Sequence, residues 1–247
     1  MVSTRRVGAA AIFAAVYAVL NIIPVSPIIG PSGRFLSLGN IFSPLAGMIL
    51  GPLTGGLAML VGAFLSVALG KPLGFDGLDF IPAVVSAVTA GFAMSGRVRW
   101  SVTLSLGLFA IFSADSLSPK FIEVGNAPVP YLWMHLLSVA VILVVVTIGS
   151  RRTSFPKGIF IAATVFISTM NAHVAGGIMY ENVLVRINGT VSPGALPGFW
   201  NTIFFLYPVE RTFFTVVGSI LAIAVMRALP KQTIQTLSGE SSGTDNY

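Results

Sequence analysis

The chain has 247 residues, of which 55% are hydrophobic and only 9% charged, with a net charge of +6 and no cysteine. A water-soluble globule of this size needs a charged shell that this composition does not supply, and several apolar runs are long enough to cross a hydrocarbon core roughly 30 Å thick. The absence of cysteine excludes disulfides, thiolate metal sites and thiol nucleophiles. The basic residues stand singly or in pairs between apolar runs, without the continuous stripe that nucleic acid requires.

Apolar segments are expected at about 6–24, 40–51, 54–69, 79–95, 100–114, 131–150, 158–180 and 208–229. The first, after Arg5 and Arg6, reads as a signal anchor that stays in place, since seven more apolar segments follow it. The second is only about twelve residues long, too short to span alone at about 1.5 Å per residue, and Gly51-Pro52 divides it from the third. An N-in, C-in topology puts nine basic residues on the cytoplasmic side: Arg5, Arg6, Arg97, Arg99, Arg151, Arg152, Lys157, Arg227 and Lys231. Arg34, Lys71, Lys120, Arg186 and Arg211 fall outside. The acidic residues lie mostly at the outer face, with only Glu240 and Asp245 inside, in a polar tail. The expected fold is therefore an all-α integral membrane bundle: one transmembrane domain over residues 1–232, then a disordered cytoplasmic tail over 233–247.

The first helix is rich in small residues. Gly8, Ala11, Ala15 and Ala18 recur at three- and four-residue spacing, and Ala10 with Ala14 forms a second pair on an adjoining strip. Small residues let another helix approach closely in lipid, where no hydrophobic drive between helices exists. The strip serves either packing within this bundle or docking of a partner.

Taken in order, several stretches resemble the substrate-binding S components of energy-coupling factor (ECF) vitamin transporters. They are the alanine-rich first helix with Ala10 and Ala14, the stretch SLGNIFSPLAGMILGPLTGGLAMLVGAFLSVALG, the helix opening Asp79-Phe80-Ile81-Pro82, and the helix opening Tyr207-Pro208-Val209-Glu210-Arg211. The likeness covers about two thirds of the chain. It implies six core helices, so residues 100–150 read as an extra hairpin. It also implies that Ala10 and Ala14 face a coupling transmembrane subunit driven by two cytoplasmic ATPases, and that a small water-soluble substrate binds near the outer surface. On that reading the chain itself carries no ATP chemistry and needs no cofactor.

Read on their own chemistry, the polar residues of the outer third point the same way. Asn171 and His173 lie roughly 20 Å along the seventh segment, where polar side chains either join helices or contact a ligand. His135 is placed at the outer end of the sixth segment, at the interface. With Pro208 in a first helical turn, Glu210 suits the positive end of the helix dipole. Arg211 does not, and needs an anionic reason: an ion pair with Asp79 or Glu210, or an acidic group on the substrate. The loop Gly30–Asn40 reads as a flexible lid bearing Arg34, with Asn40 either touching the ligand or capping the next helix. Trp200, Phe204, Phe205 and Tyr207 have the default reading of an interfacial aromatic belt, with one or two available to stack on a ring-shaped ligand.

No phosphate loop, metal-binding histidine pair, or nucleophile with a nearby base is visible, so enzymatic activity is not expected. Asn188-Gly189-Thr190 matches the glycosylation acceptor pattern, which three residues meet readily by chance. The rival readings are a self-sufficient secondary transporter, which needs a carboxylate deep in a segment, and a non-transporting membrane subunit of a larger complex, which needs no outer polar cluster.

Overall fold

Helix punctuation is set by glycine and proline. In the computed structural model, which describes residues 4–151 and 156–239, α1 (Thr4–Ile22) leads through a short hairpin, β1 (Pro24–Pro27) and β2 (Phe35–Ser37), into α2 (Gly39–Leu50). Gly51, at φ +77°, ends α2, and Pro52 opens α3 (Pro52–Ala68). A residue with a Cβ is strained at that φ, and proline at a first helical position sacrifices no hydrogen bond, so the Gly-Pro pair both stops one helix and starts the next. The chain continues through α4 (Phe80–Met94), α5 (Val98–Ala114), a second hairpin of β3 (Phe121–Val124) and β4 (Ala127–Pro130), and α6 (Trp133–Gly149). It then forms α7 (Lys157–Met179), which runs into a wider π-helical stretch over Tyr180–Ile187, followed by α8 (Leu196–Ala228) and α9 (Lys231–Ser238).

All eight expected apolar segments are helices, so the fold is predominantly helical, with two short antiparallel hairpins as the exception. Among the described residues, three helical stretches are long and apolar enough to cross a membrane: Thr4–Ile22, Lys157–Ile187 and Leu196–Ala228. The others are shorter apolar helices. α2 is short because it is central: eleven of its twelve residues are buried, and it packs against α1, α3, α4, α7, α8 and α9. Close approach there depends on glycine, since a Cβ on Gly47 would collide with the Ala87 carbonyl of α4.

Two apolar clusters fill the bundle. One joins α1–α4 with parts of α7 and α8, and the other joins α5–α8 and the β3–β4 hairpin. Residues 100–150 are thus integral to the second core, where Phe109, Phe112, Met134 and Ile142 pack with Ile167 and Met170 of α7.

Three expectations are corrected. α8 starts twelve residues before 208, because Pro197 takes the early helical position and, after Gly198 in the first turn, 199–207 contain no glycine or proline, so Pro208 lies inside the helix and Glu210 and Arg211 lie well within it. The segment 24–37 is a β-hairpin held at several points, not a free loop; Tyr180 Oη donates to the Ile29 carbonyl (2.9 Å) and Arg34 Nη1 to the Gly74 carbonyl (2.6 Å). The tail begins as a helix, since α9 packs on α1 and α2 and Arg6 Nη2 donates to the Ser238 carbonyl (3.1 Å). Arg152, Glu240 and Asp245, and the tail from 240 onward, lie outside the described residues.

Candidate functional site

A cavity of about 110 Å³ opens at the end of the bundle where the β1–β2 hairpin lies. Its wall combines the end of α1 (Tyr17, Asn21), the hairpin (Pro27 to Ile29, Phe35, Leu36) and the start of α2 (Asn40). The loop before α4 contributes Lys71, Phe75 and Asp79; α7 and the turn after it contribute His173, Gly176, Gly177 and Tyr180; α8 contributes Trp200, Ile203, Leu206, Glu210 and Arg211. Helices far apart in sequence meet there because their small faces pack closely lower in the bundle.

Six of the eight expected ligand contacts line this cavity: Asn40, Asp79, His173, Trp200, Glu210 and Arg211. The other two do not. Arg34 bonds to the Gly74 carbonyl and pairs with Asp76 (3.4 Å), which fastens the hairpin to the 71–79 loop. Asn171 is buried and donates to Thr89 Oγ1 of α4 (3.0 Å), joining two helices, while its own Oδ1 has no partner. Asn40 is not a cap either: α2 begins at Gly39, and Asn40 Nδ2 donates back to the Ser37 carbonyl (3.1 Å).

Arg211 is 2% exposed. Its partner is Glu210, with Nη2 3.6 Å from Oε2, while Nε has no hydrogen-bond acceptor among the described residues and the guanidinium carbon lies 4.9 Å from the centre of the Phe214 ring. Ser26 Oγ of β1 donates to Glu210 Oε1, so the same carboxylate ties the hairpin to α8. Asp79 is not a partner of Arg211. Its carboxylate accepts the backbone N–H groups of Gly74 (2.5 Å), Phe75 (3.1 Å) and Gly77 (3.4 Å), which shapes the loop ahead of α4.

His173 contacts the cavity and shares a 2.9 Å hydrogen bond with His135, which is fully buried rather than interfacial. Tyr131 and Tyr207 pack on both rings of this pair and Phe109 meets His135 edge-on, while Phe112, Trp200 and Phe204 pack in turn on Tyr131, so Trp200, Phe204 and Tyr207 belong to a buried aromatic cluster and, of the four outer aromatics, Phe205 is exposed. Trp200 Nε1 donates to the Leu117 carbonyl (3.0 Å).

Asn21 and Lys71 also line the cavity, outside the expected set. Asn21 is buried, accepts from Lys71 Nζ (2.9 Å) and Ser37 Oγ (2.5 Å), and donates to Ser66 Oγ (2.8 Å). Burial pulls the Lys71 ammonium below its ordinary pKa, opposed by the nearby negative charge of Asp79. The signal for Asn21 was present, because an amide inside an apolar run needs partners just as Asn171 does. Glu181, on the π-helical stretch, is also fully buried; Ser118 Oγ donates to Oε1 (2.6 Å), and Oε2 has no partner. Asn188 is engaged as well, donating to Asp76 Oδ2 and accepting from the Thr190 N–H (2.9 Å).

The helix-one strip divides in two. Ala14 is 3% exposed and packs inside the chain on α3, where a Cβ on Gly62 would stand 2.6 Å from its carbonyl, and Ala10 is half-buried. The small residues left exposed are Gly8, Ala11 and Ala15. Internal packing has therefore claimed the Ala14 side, because α3 offers the matching notch at Gly62.

Comparison with known family models, curated proteins and solved structures gives no match. The fold and cavity define a predominantly helical chain with, among the described residues, three stretches long and apolar enough to cross a membrane and a polar-and-aromatic cleft at one end.

Proposed function

We propose that this chain is a multi-pass plasma-membrane protein with both termini cytoplasmic, which binds a small water-soluble vitamin or cofactor precursor at its outer face. Uptake would proceed together with an ATP-driven energy-coupling factor module, made of a coupling transmembrane subunit and two ATPases. The observation that carries this reading is the convergence of Asn40, Asp79, His173, Trp200, Glu210 and Arg211, from four separate elements, on one cavity beneath the β1–β2 hairpin. Pockets with a mostly apolar wall and a few convergent polar groups are the usual form of a small-molecule site. The charge bias of the connecting segments supports the orientation. The exposed Gly8, Ala11 and Ala15, with Ala10 at the edge, leave a smooth strip on α1 for the coupling subunit.

The test begins with the compound released when the purified protein is denatured, identified by mass spectrometry. Liposomes holding only this chain should fail to accumulate that compound under a sodium or proton gradient. Accumulation would establish the secondary-transporter reading instead. Glu181 favours that second reading, because a fully buried carboxylate with one free oxygen is the kind of group that couples transport to an ion. Glu181→Gln separates the two: it abolishes gradient-driven uptake in a secondary transporter and leaves ligand binding intact in a substrate-binding component.

A further inference from the structure

Resting on the binding reading above, we infer that the ligand is a small anion with a flat apolar body, a ring carboxylate in chemical class, whose acid group is held by Arg211. The charged groups of the wall differ in what they still have to offer a ligand. Both carboxylates are engaged: Asp79 by three backbone N–H groups of its own loop, Glu210 by Ser26 on one oxygen and Arg211 on the other. Both cations retain donors. Arg211 is nine-tenths buried and more, meets Glu210 only at 3.6 Å, and has an Nε without an acceptor. A buried guanidinium left in this state is costly, and a carboxylate accepting two of its N–H groups removes the cost. Lys71 Nζ bonds to Asn21 and has two more donors, adding a second positive charge to the same wall.

The remaining wall sets the shape of the ligand body. Trp200, Tyr180, Phe75 and Phe35 present ring surfaces, and about 110 Å³ is the scale of cavity that holds a single small ring. A cationic ligand would meet two positive charges with both carboxylates already taken. A neutral one can accept a hydrogen bond from Arg211 but forgoes the stronger, charge-assisted bond that a carboxylate makes.

Three probes of one shape and different charge decide the matter: benzoate, benzamide and benzylammonium, titrated calorimetrically into the full-length protein in detergent. Benzoate should bind about tenfold or more tighter than benzamide, with benzylammonium weakest, as expected for gaining a hydrogen bond to a buried charge. Arg211→Gln should abolish the preference for benzoate. If that variant fails to fold, Lys71→Gln, on a loop, should reduce it. Equal or tighter binding of benzamide or benzylammonium overturns the anion assignment while leaving the cavity a binding site. Binding of none of the three overturns the anion assignment as well, and if no compound is released from the denatured protein either, the binding reading itself falls.

Discussion

Replacing Ala14 by leucine tests which side of α1 is committed within the chain. Ala14 is 3% exposed, and the notch it fills is tight: a Cβ placed on Gly62 of α3 would stand 2.6 Å from the Ala14 carbonyl and 2.8 Å from the Tyr17 ring. Leucine adds three carbons to a space already filled, so α1 must move off α3, loosening Tyr17 and Ala18 as well. Overpacking of this kind costs about 1–3 kcal/mol. At roughly 2–4 °C per kcal/mol for a chain of this length, Tm should fall by about 2–12 °C. Ala15→Leu is the control, because Ala15 lies about 100° further round the helix and is exposed, so the change should stay within about 0.5 kcal/mol. Circular dichroism melts of the detergent-solubilised wild type and both variants give the readout, with co-purification of a partner measured on the same preparations. If Ala14→Leu melts with the wild type, the packing reasoning is wrong and the Ala14 strip is free for a partner. If Ala15→Leu melts normally and loses a partner, the exposed strip is the docking face.

Arg211→Ala should weaken binding of the co-purifying compound by about ten- to several-hundred-fold in calorimetric titration; unchanged affinity removes Arg211 from the site and leaves it a structural partner of Glu210. Asn21→Leu strips partners from Lys71, Ser37 and Ser66 at once, and should cost about 1–3 kcal/mol in thermal unfolding. Asn171→Leu should cost less, about 1 kcal/mol or under, because Thr89 Oγ1 keeps its own bond to the Val85 carbonyl (2.7 Å). The Asp115–Arg186 pair (2.6 Å) holds the Asp115 carboxyl below its ordinary pKa, chiefly through the hydrogen bond to Arg186. A depressed folded-state pKa contributes stability above about pH 4 that is lost as pH falls through the folded value, so Asp115→Asn should flatten the acid side of the stability profile measured by denaturant unfolding from pH 7 to pH 3.

Hydropathy and punctuation alone determined that residues 4–228 form eight apolar helices, because each helix is closed by local chemistry, as at Gly51-Pro52, and apolar runs of this length have few other solutions. They also singled out six residues of the cavity wall. Asp79, His173, Glu210 and Arg211 are anomalous in an apolar sequence, and a polar group without water must find a partner wherever the chain leads. The tertiary structure decided which partner each one found. Asn171 and His173 are two residues apart on one helix, yet a difference of about 200° around the helix axis sends one to Thr89 and the other to the cavity. The start of α8 was misplaced because proline is compatible both with a first turn and, at a cost, with a helix interior, and only the packing of Trp200 and Tyr207 against α5 and the 131–135 stretch favours continuation through 196–207. The same limit governs α1: small-residue spacing shows that something approaches the helix closely, but it was the notch at Gly62, some fifty residues away, that determined which side belongs to the chain itself.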